Sequence, residues 1–415
     1  MRETTAPASA TPAVTTAPAR PPRIVSVDAL RGFDMFWIVG GEHVVKALEP
    51  LGGGVAVAAV TTQLSHVQWE GFRFYDLIFP LFLFLVGVSI VLSMDRTIAT
   101  EGRGGALLRI FRRSALLFAV GVIYYGGVSK PWPDVQISGV LPRIALCYLF
   151  AATLYVLLPR RGIVIAAMLC LSVYWALLTF VPFPDVSLEK PNAGKRTSQT
   201  SAETPAAMLA NATGTVRGTF EEGHNLTHYV DFRYLPGKKR NLYYTNEGLL
   251  STIPAVATTL FGIMAGWVLV NARMSGQQKV TWLLLGGAAA VALGLLWGLQ
   301  FPIIKRIWTS SYCLLASGCS AMLLGVFYLL VDVWRWQKWC VPFLWIGTNA
   351  LTIYLVFNLV DFNAVAARFV GGDVKHLLDT TVAKGAGGLV LAAVTVLLPV
   401  LLVRFLYQRK IFIRL

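Results

Sequence analysis

The stretch Leu81-Phe-Leu-Phe-Leu-Val-Gly-Val-Ser-Ile-Val-Leu92 carries no charge, and the run over 72–94 around it is predominantly apolar. A helix needs roughly 20 such residues to cross a hydrocarbon core. Comparable uncharged runs recur at Ala115–Tyr125, Ile163–Phe180, Trp282–Leu299 and Leu389–Val403. Core helices of a soluble fold do not recur at this density. Composition agrees: 56% of the 415 residues are hydrophobic and 14% are charged, too few charges to cover a soluble surface of this size. The fold class that follows is an all-α integral membrane protein.

Working outward from that run, the pattern predicts about ten transmembrane helices, at 29–48, 72–94, 113–128, 139–158, 163–181, 248–270, 280–300, 309–332, 341–358 and 385–407. The connections and chain ends on one side collect Arg20, Arg23, Arg96, Arg103, Arg109, Arg112, Arg113, Arg160, Arg161, Arg273, Lys279, Arg335, Lys338, Arg404, Arg409, Lys410 and Arg414. The opposite short connections hold about half as many basic residues, which places both termini in the cytoplasm. The net charge of +15 is therefore orientation signal rather than a nucleic-acid surface. Residues 1–22, mostly Ala, Thr and Pro, read as a disordered cytoplasmic tail, and 23–415 as one polytopic domain. Two extracytoplasmic connections stand out for length, 49–71 and 182–247; loops this long are usually functional or disordered. The five cysteines show neither zinc-ligand spacing nor a disulfide framework, and no metal is expected.

The first helix carries Asp28, Arg31, Asp34 and Glu42 within one arc of about 120°. A charged group facing lipid at mid-membrane costs about 2.5–3.5 kcal/mol, so these groups should face the bundle interior. Arg31 is expected to be bridged by Asp28 and Asp34 at i±3, as an ion pair near the cytoplasmic surface or as part of a substrate entry. Gly40-Gly41 would let this helix bend or end.

The second polar cluster is His66-Val-Gln-Trp69-Glu70-Gly-Phe-Arg73-Phe-Tyr75-Asp76, leading into the helix that contains Pro80. Imidazole moves protons near neutral pH, and a carboxylate on one ring nitrogen would fix its tautomer. Asp76 and Glu70 both qualify as that carboxylate. The bland alternative makes His66 and Trp69 interfacial anchors. Arg143 opens the fourth helix, and Glu247 precedes the sixth, where a carboxylate also suits the helix dipole. Lys305-Arg306 with Trp308 reads as an interfacial anchor. Asn349 is a buried amide that must find partners in lipid. His224 and His228, at i,i+4 spacing in a polar loop, do not by themselves indicate a metal.

Arg23-Ile-Val-Ser-Val-Asp28-Ala-Leu-Arg31-Gly32, His66-Val-Gln-Trp69-Glu-Gly71, Asp76-Leu-Ile-Phe-Pro80 and Gly139-Val-Leu-Pro-Arg143 follow one another in order. Glu247-Gly-Leu-Leu-Ser-Thr-Ile-Pro254, Trp308-Thr-Ser-Ser and Gly347-Thr-Asn349-Ala-Leu complete the set. Together they resemble the heparan-α-glucosaminide N-acetyltransferase family of membrane acyltransferases, which has bacterial members. The resemblance implies an acetyltransferase in the bilayer, here of a bacterial cytoplasmic membrane. It implies acetyl-CoA as donor from the cytoplasmic side and an amino sugar or related glycan as acceptor on the far side. It makes His66 catalytic with Asp76 beside it, either as general base or as the nucleophile of an acetyl-imidazole. For such a reaction, basic residues at the cytoplasmic mouth, Arg31, Arg109, Arg112 and Arg113, are candidates for the CoA phosphates, with Asp34 and Arg143 also assigned to the donor. The alternative for Arg109, Arg112 and Arg113 is orientation signal alone. Trp69, Glu70, Glu247 and Asn349 are the candidates for the acceptor. The sequence departs from animal members at Gly40-Gly41-Glu42-His43, where they have an Asn-Tyr-Gly stretch. A homo-oligomer is compatible with the sequence, which specifies no interface. The alternative function is a non-enzymatic transporter or flippase of a small or lipid-linked solute.

Overall fold

A computed structural model describes residues 24–51, 54–188, 205–210, 212 and 214–412. The expected tail 1–22 and part of the 182–247 connection lie outside these described residues. The helices are α1 (Val25–Phe36), α2 (Glu42–Leu48), α3 (Gly54–Gln63), α4 (Phe74–Tyr124), α5 (Val140–Leu157) and α6 (Arg160–Phe180). They continue with α7 (Pro205–Ala210), α8 (Leu226–Tyr234), α9 (Thr252–Val270), α10 (Gly276–Gly298) and α11 (Ser310–Tyr328). The last five are α12 (Val341–Thr348), α13 (Ala350–Leu359), α14 (Phe362–Val370), α15 (Gly372–Thr381) and α16 (Ala386–Gln408).

Seven helices among the described residues are long and apolar enough to cross a membrane, and eight if the bent pair α12–α13 counts as one span. About ten were expected, and two features account for the difference. The predicted first span is divided, because α1 ends at Phe36 and a π-helical turn over Trp37–Gly41 separates it from α2. The glycine pair sits in that turn. The predicted spans 72–94 and 113–128 are both within α4, which is interrupted at Gly102 (φ 72°, ψ 175°).

Packing shows what the Gly102 break does. The Tyr155 hydroxyl donates to Asp95 at 2.7 Å, and Gly121 lies against Pro142. Asp95 and Gly121 are 26 residues apart, about 39 Å along a straight helix, whereas Pro142 and Tyr155 on α5 span about 20 Å. The chain therefore doubles back at Gly102, and its second limb runs antiparallel to α5. In the first limb, Gly87 meets the backbone of Thr259–Ile263 on α9 with no room for a Cβ on either side of the contact.

α1 is fixed in a similar way. Its first amides, Val25 and Ser26, donate to the Asp332 carboxylate at 3.1 and 2.9 Å. Gly32 touches the Phe343 carbonyl and Gly347 the Asp28 carbonyl, so α1 and α12 are in backbone contact. At Asn349 (φ −125°, ψ 35°) the helix breaks, and α12 and α13 meet at 69°.

The 182–247 connection is folded over much of its described length. Phe183–Pro184 pairs with Thr215–Val216, and Phe220–Glu221 with His224–Asn225, both antiparallel. Asn225 caps α8 by accepting from the His228 amide at 2.9 Å. Val186, Leu188, Phe232 and Tyr244 form a small core. A second cluster, including Tyr174, Phe183, Leu226, Phe301 and Ile307, ties this cap to α6 and to the 301–309 turn.

Candidate active site

Asp76 occupies the third position of α4 and gathers the preceding loop around itself. Its Oδ2 accepts the amides of Arg73 at 3.2 Å and Val67 at 3.3 Å. Its Oδ1 lies 2.8 Å from Nδ1 of His66. The carboxylate is 1% exposed and the imidazole 52%, so the dyad is rooted in protein and open at its far side. Nε2 carries no hydrogen bond among the described residues, leaving one ring nitrogen for chemistry. Of the two carboxylates that the sequence offered as orienter, Asp76 takes the role; the Glu70 side chain is exposed, and its backbone bridges to Ile304.

Several contacts hold the ring in place. Tyr75 lies 4.7 Å from it, centroid to centroid, and the Tyr75 hydroxyl donates to the Trp37 carbonyl in the π-turn at 3.4 Å. Arg73 donates to Ser65 Oγ at 2.7 Å and to the His66 carbonyl at 3.3 Å. Pro80 has no N–H for the carbonyl of Asp76, its i−4 partner. The Tyr312 hydroxyl donates to that carbonyl instead, at 2.8 Å.

The third member of the site is Lys305, whose Nζ is 3.3 Å from Asp76 Oδ1 and 3.1 Å from His66 Nδ1. The turn that carries it is held tightly. Ile303 accepts the Gly71 amide at 2.9 Å, and the Ile304 amide donates to Thr309 Oγ1 at 3.0 Å. Trp308 adopts a left-handed φ of 54°, a conformation that costs roughly 1–2 kcal/mol in a non-glycine residue. Its buried indole compensates, donating to Thr258 Oγ1 at 3.2 Å and packing edge-on against Phe79 and Tyr312. Burial pulls the Lys305 ammonium down to about 8, with the Asp76 carboxylate opposing the shift. The interfacial anchor expected from the sequence is thus, at Lys305, part of the site. Arg306 beside it pairs with Glu222 of the cap at 2.7 Å.

The remaining sequence candidates divide between two regions. Arg143 is fully buried at the start of α5, donating to the Gly248 carbonyl at 3.1 Å and to Ser251 Oγ, over the Trp308 ring. It belongs to the His66 end, with Glu247 within electrostatic reach. Glu247 also lies within reach of Lys305. Trp69 donates to the Phe220 carbonyl at 2.9 Å and faces His228, fastening the His66 loop to the cap. Arg31 is elsewhere, bonded to Asp28 at 3.2 Å and to Ser89 Oγ at 2.7 Å. Asp28 takes the expected Arg31 pairing, whereas both Asp34 oxygens are buried without a hydrogen-bond partner among the described residues. The Asn349 amide, at the helix break, is in the same condition. Arg113 is exposed on the second limb of α4, stacked on Tyr148 at 4.8 Å. The side chain of Glu42 lies outside what is described.

Sequence reasoning missed Lys305, Tyr75 and Tyr312 as members of the site. Only Tyr312 had a local signal, the acceptor that Pro80 leaves unpaired on Asp76. His228 is buried against Tyr244, ring centroids 3.7 Å apart, and no cluster of three metal-binding side chains occurs among the described residues.

A helical membrane domain with a carboxylate-held histidine at one end of its bundle is the class that fold and site define. Residues 23–188 match the family described as heparan-alpha-glucosaminide N-acetyltransferase, catalytic. The human heparan-alpha-glucosaminide N-acetyltransferase is 27% identical over 375 residues, covering 81% of this chain and 53% of the human protein. The mouse protein is 26% identical over 390 residues, covering 84% of this chain and 56% of its own length. Through residues 23–188 the chain is similar to this catalytic family, and its likeness to the two curated relatives is distant. It spans about half the length of the curated relatives it matches.

Proposed function

We propose that the protein transfers an acetyl group from acetyl-CoA on the cytoplasmic side to the amine of an amino sugar, or of a related glycan, on the opposite side. The observation that carries this reading is the His66–Asp76 pair, with Nδ1 committed and Nε2 free. The chain path supports a ten-crossing topology with both termini cytoplasmic. The divided first segment and the bent α12–α13 pair each cross once, and α4 crosses twice. His66, Lys305, Arg143 and Glu247 then share the outer end, and Arg31 sits toward the inner one. Ser89, which Arg31 contacts, is 13 residues from Asp76 on the same limb, about 20 Å. An extended pantetheine arm covers such a span, with Arg31 toward the CoA phosphates and Asp34 lining the way.

In this reading His66 acts as general base. The acceptor nitrogen attacks the thioester carbonyl while Nε2 takes its proton. The imidazolium so formed is stabilised by Asp76 through Nδ1. Collapse of the tetrahedral adduct expels the CoA thiolate, to which Nε2 returns the proton, giving an amide and free CoA thiol. Glu247, Trp69 and Glu70, from the cap side, are the acceptor-facing residues, and Asn349 lies at the bend between α12 and α13.

The test is release of CoA thiol by purified protein given acetyl-CoA and glucosamine, with His66→Ala as control. Transfer in the native protein and its loss in the variant are expected. Solute flux in vesicles without thioester cleavage would instead establish a transporter. Acetylated His66 found by mass spectrometry in the absence of acceptor would replace the base with a nucleophile.

A further inference from the structure

The acceptor end contains a buried acid that the proposed chemistry does not use. Asp231, on α8 in the cap, is fully buried. One carboxylate oxygen accepts the Leu249 amide at 2.9 Å and the other the Thr245 amide at 3.5 Å. Gly248 lies so close against the same carboxylate that a Cβ would overlap it. Between these anchor points stands Glu247. The Gly248 carbonyl accepts from Arg143 and, at 2.9 Å, from Thr252 Oγ1 at the start of α9. The acid thus grips both flanks of the segment that brings Glu247 to the mouth of the site, 16 residues along the chain from Asp231 itself.

We propose that Asp231 is a positioning residue for the acceptor: by holding the 245–249 turn with both oxygens, it sets where Glu247 stands relative to Lys305 and His66. The inference rests on the acetyl-transfer reading given above. A neutral acid cannot do the same job, since one of its oxygens carries a proton and no longer accepts freely. The charged and titratable groups that face Asp231 are Arg143 from α5, Lys239 from the turn after α8 and Tyr174 from α6. Burial pushes the Asp231 carboxyl up to about 7, against the two amide bonds and the two cations. The grip is therefore complete above pH 7 and loosens below it.

The full-length protein, with acetyl-CoA and glucosamine as probes, tests this on either side of pH 7. The KM for glucosamine, counted as its unprotonated amine, should rise as pH falls, while acetyl-CoA affinity measured by titration calorimetry stays constant. Asp231→Asn keeps the shape but supplies one acceptor, so its KM should lie about tenfold above the native value of the high-pH side, the effect of one charge-assisted hydrogen bond, and the native KM should approach it as pH falls below 7. Its KM should also no longer respond to pH. Gly248→Ala, which leaves the charge in place and displaces the turn, should raise KM with the pH response retained. Hydrogen–deuterium exchange of the Thr245 and Leu249 amides reads the grip without catalysis; their protection, relative to the intrinsic base-catalysed rate at each pH, should be smaller below pH 7 and in Asp231→Asn. Native exchange and native KM in Asp231→Asn overturn the inference. Exchange as expected in a native protein that consumes no acetyl-CoA overturns the acetyl-transfer reading alone.

Discussion

Lys305 and His66, 239 residues apart in sequence, meet at 3.1 Å between Nζ and Nδ1. An ammonium only donates, so this contact requires Nδ1 as acceptor and leaves the ring proton on Nε2. The 2.8 Å contact with Asp76 requires the opposite, a proton on Nδ1 and a free lone pair on Nε2. Lys305 and Asp76 therefore compete for the tautomer of one ring, and only the Asp76 tautomer serves a base.

The competition is pH-dependent. Lys305 is held down to about 8, so it is charged below that pH and neutral above it. The rate of transfer should rise as pH passes 8, where the ammonium releases Nδ1 to Asp76. In Lys305→Met that step should vanish from the pH–rate profile, and a step of native size in the variant would rule the competition out. Stability carries its own signature. An unperturbed lysine titrates near 10.4. Between pH 8 and that value the unfolded chain binds a proton that the folded one has lost, so stability should rise with pH across this window and stay flat in the variant.

Asp76→Asn makes the sharper test of the dyad. The amide oxygen can keep accepting from Val67 and Arg73 while its NH2 turns to Nδ1. That fixes the proton on Nε2, the wrong tautomer for a base. A fall in kcat of about 10²–10⁴-fold is expected, with the melting temperature little changed. Near-native kcat would remove Asp76 from the chemistry.

The dyad was legible because His66 and Asp76 lie ten residues apart at the entry to one helix, where local geometry does most of the placing. Lys305 was not, since nothing local distinguishes a site lysine from an anchor at the end of a span. The spans were read from apolarity, and two successive runs at 72–94 and 113–128 already implied a reversal between them, but nothing in hydropathy fixed it at Gly102 or showed the helix continuing to that point. The cap was hidden for another reason. Its strands are two residues long, and its order comes from side chains such as Phe183, Phe232 and Tyr244 that meet only after folding.

The contact between α1 and α12 predicts a steric failure. A Cβ at Gly32 would run into the Phe343 carbonyl, and one at Gly347 into that of Asp28. Neither obstacle is a flexible side chain, so the helices must part. Gly32→Ala and Gly347→Ala should each cost at least about 1–3 kcal/mol, read as a lowered melting temperature in detergent. Gly104→Ala, at a position with open space around it, is the matched control and should melt like the native protein.

Asp34 separates stability from donor binding. Its carboxylate is buried with neither oxygen hydrogen-bonded among the described residues, an arrangement that disfavours the folded state. Asp34→Leu, with the same branched shape and number of side-chain heavy atoms, should therefore raise the melting temperature. If the proposed donor path runs along α1, the same change removes an acceptor for the amide groups of the pantetheine arm. Acetyl-CoA affinity should then fall about tenfold, as for a lost charged hydrogen bond, while the isolated adenosine portion of CoA binds as before. A variant that is more stable and still binds acetyl-CoA with native affinity would take Asp34 out of the donor path and leave its burial without a role in the reaction.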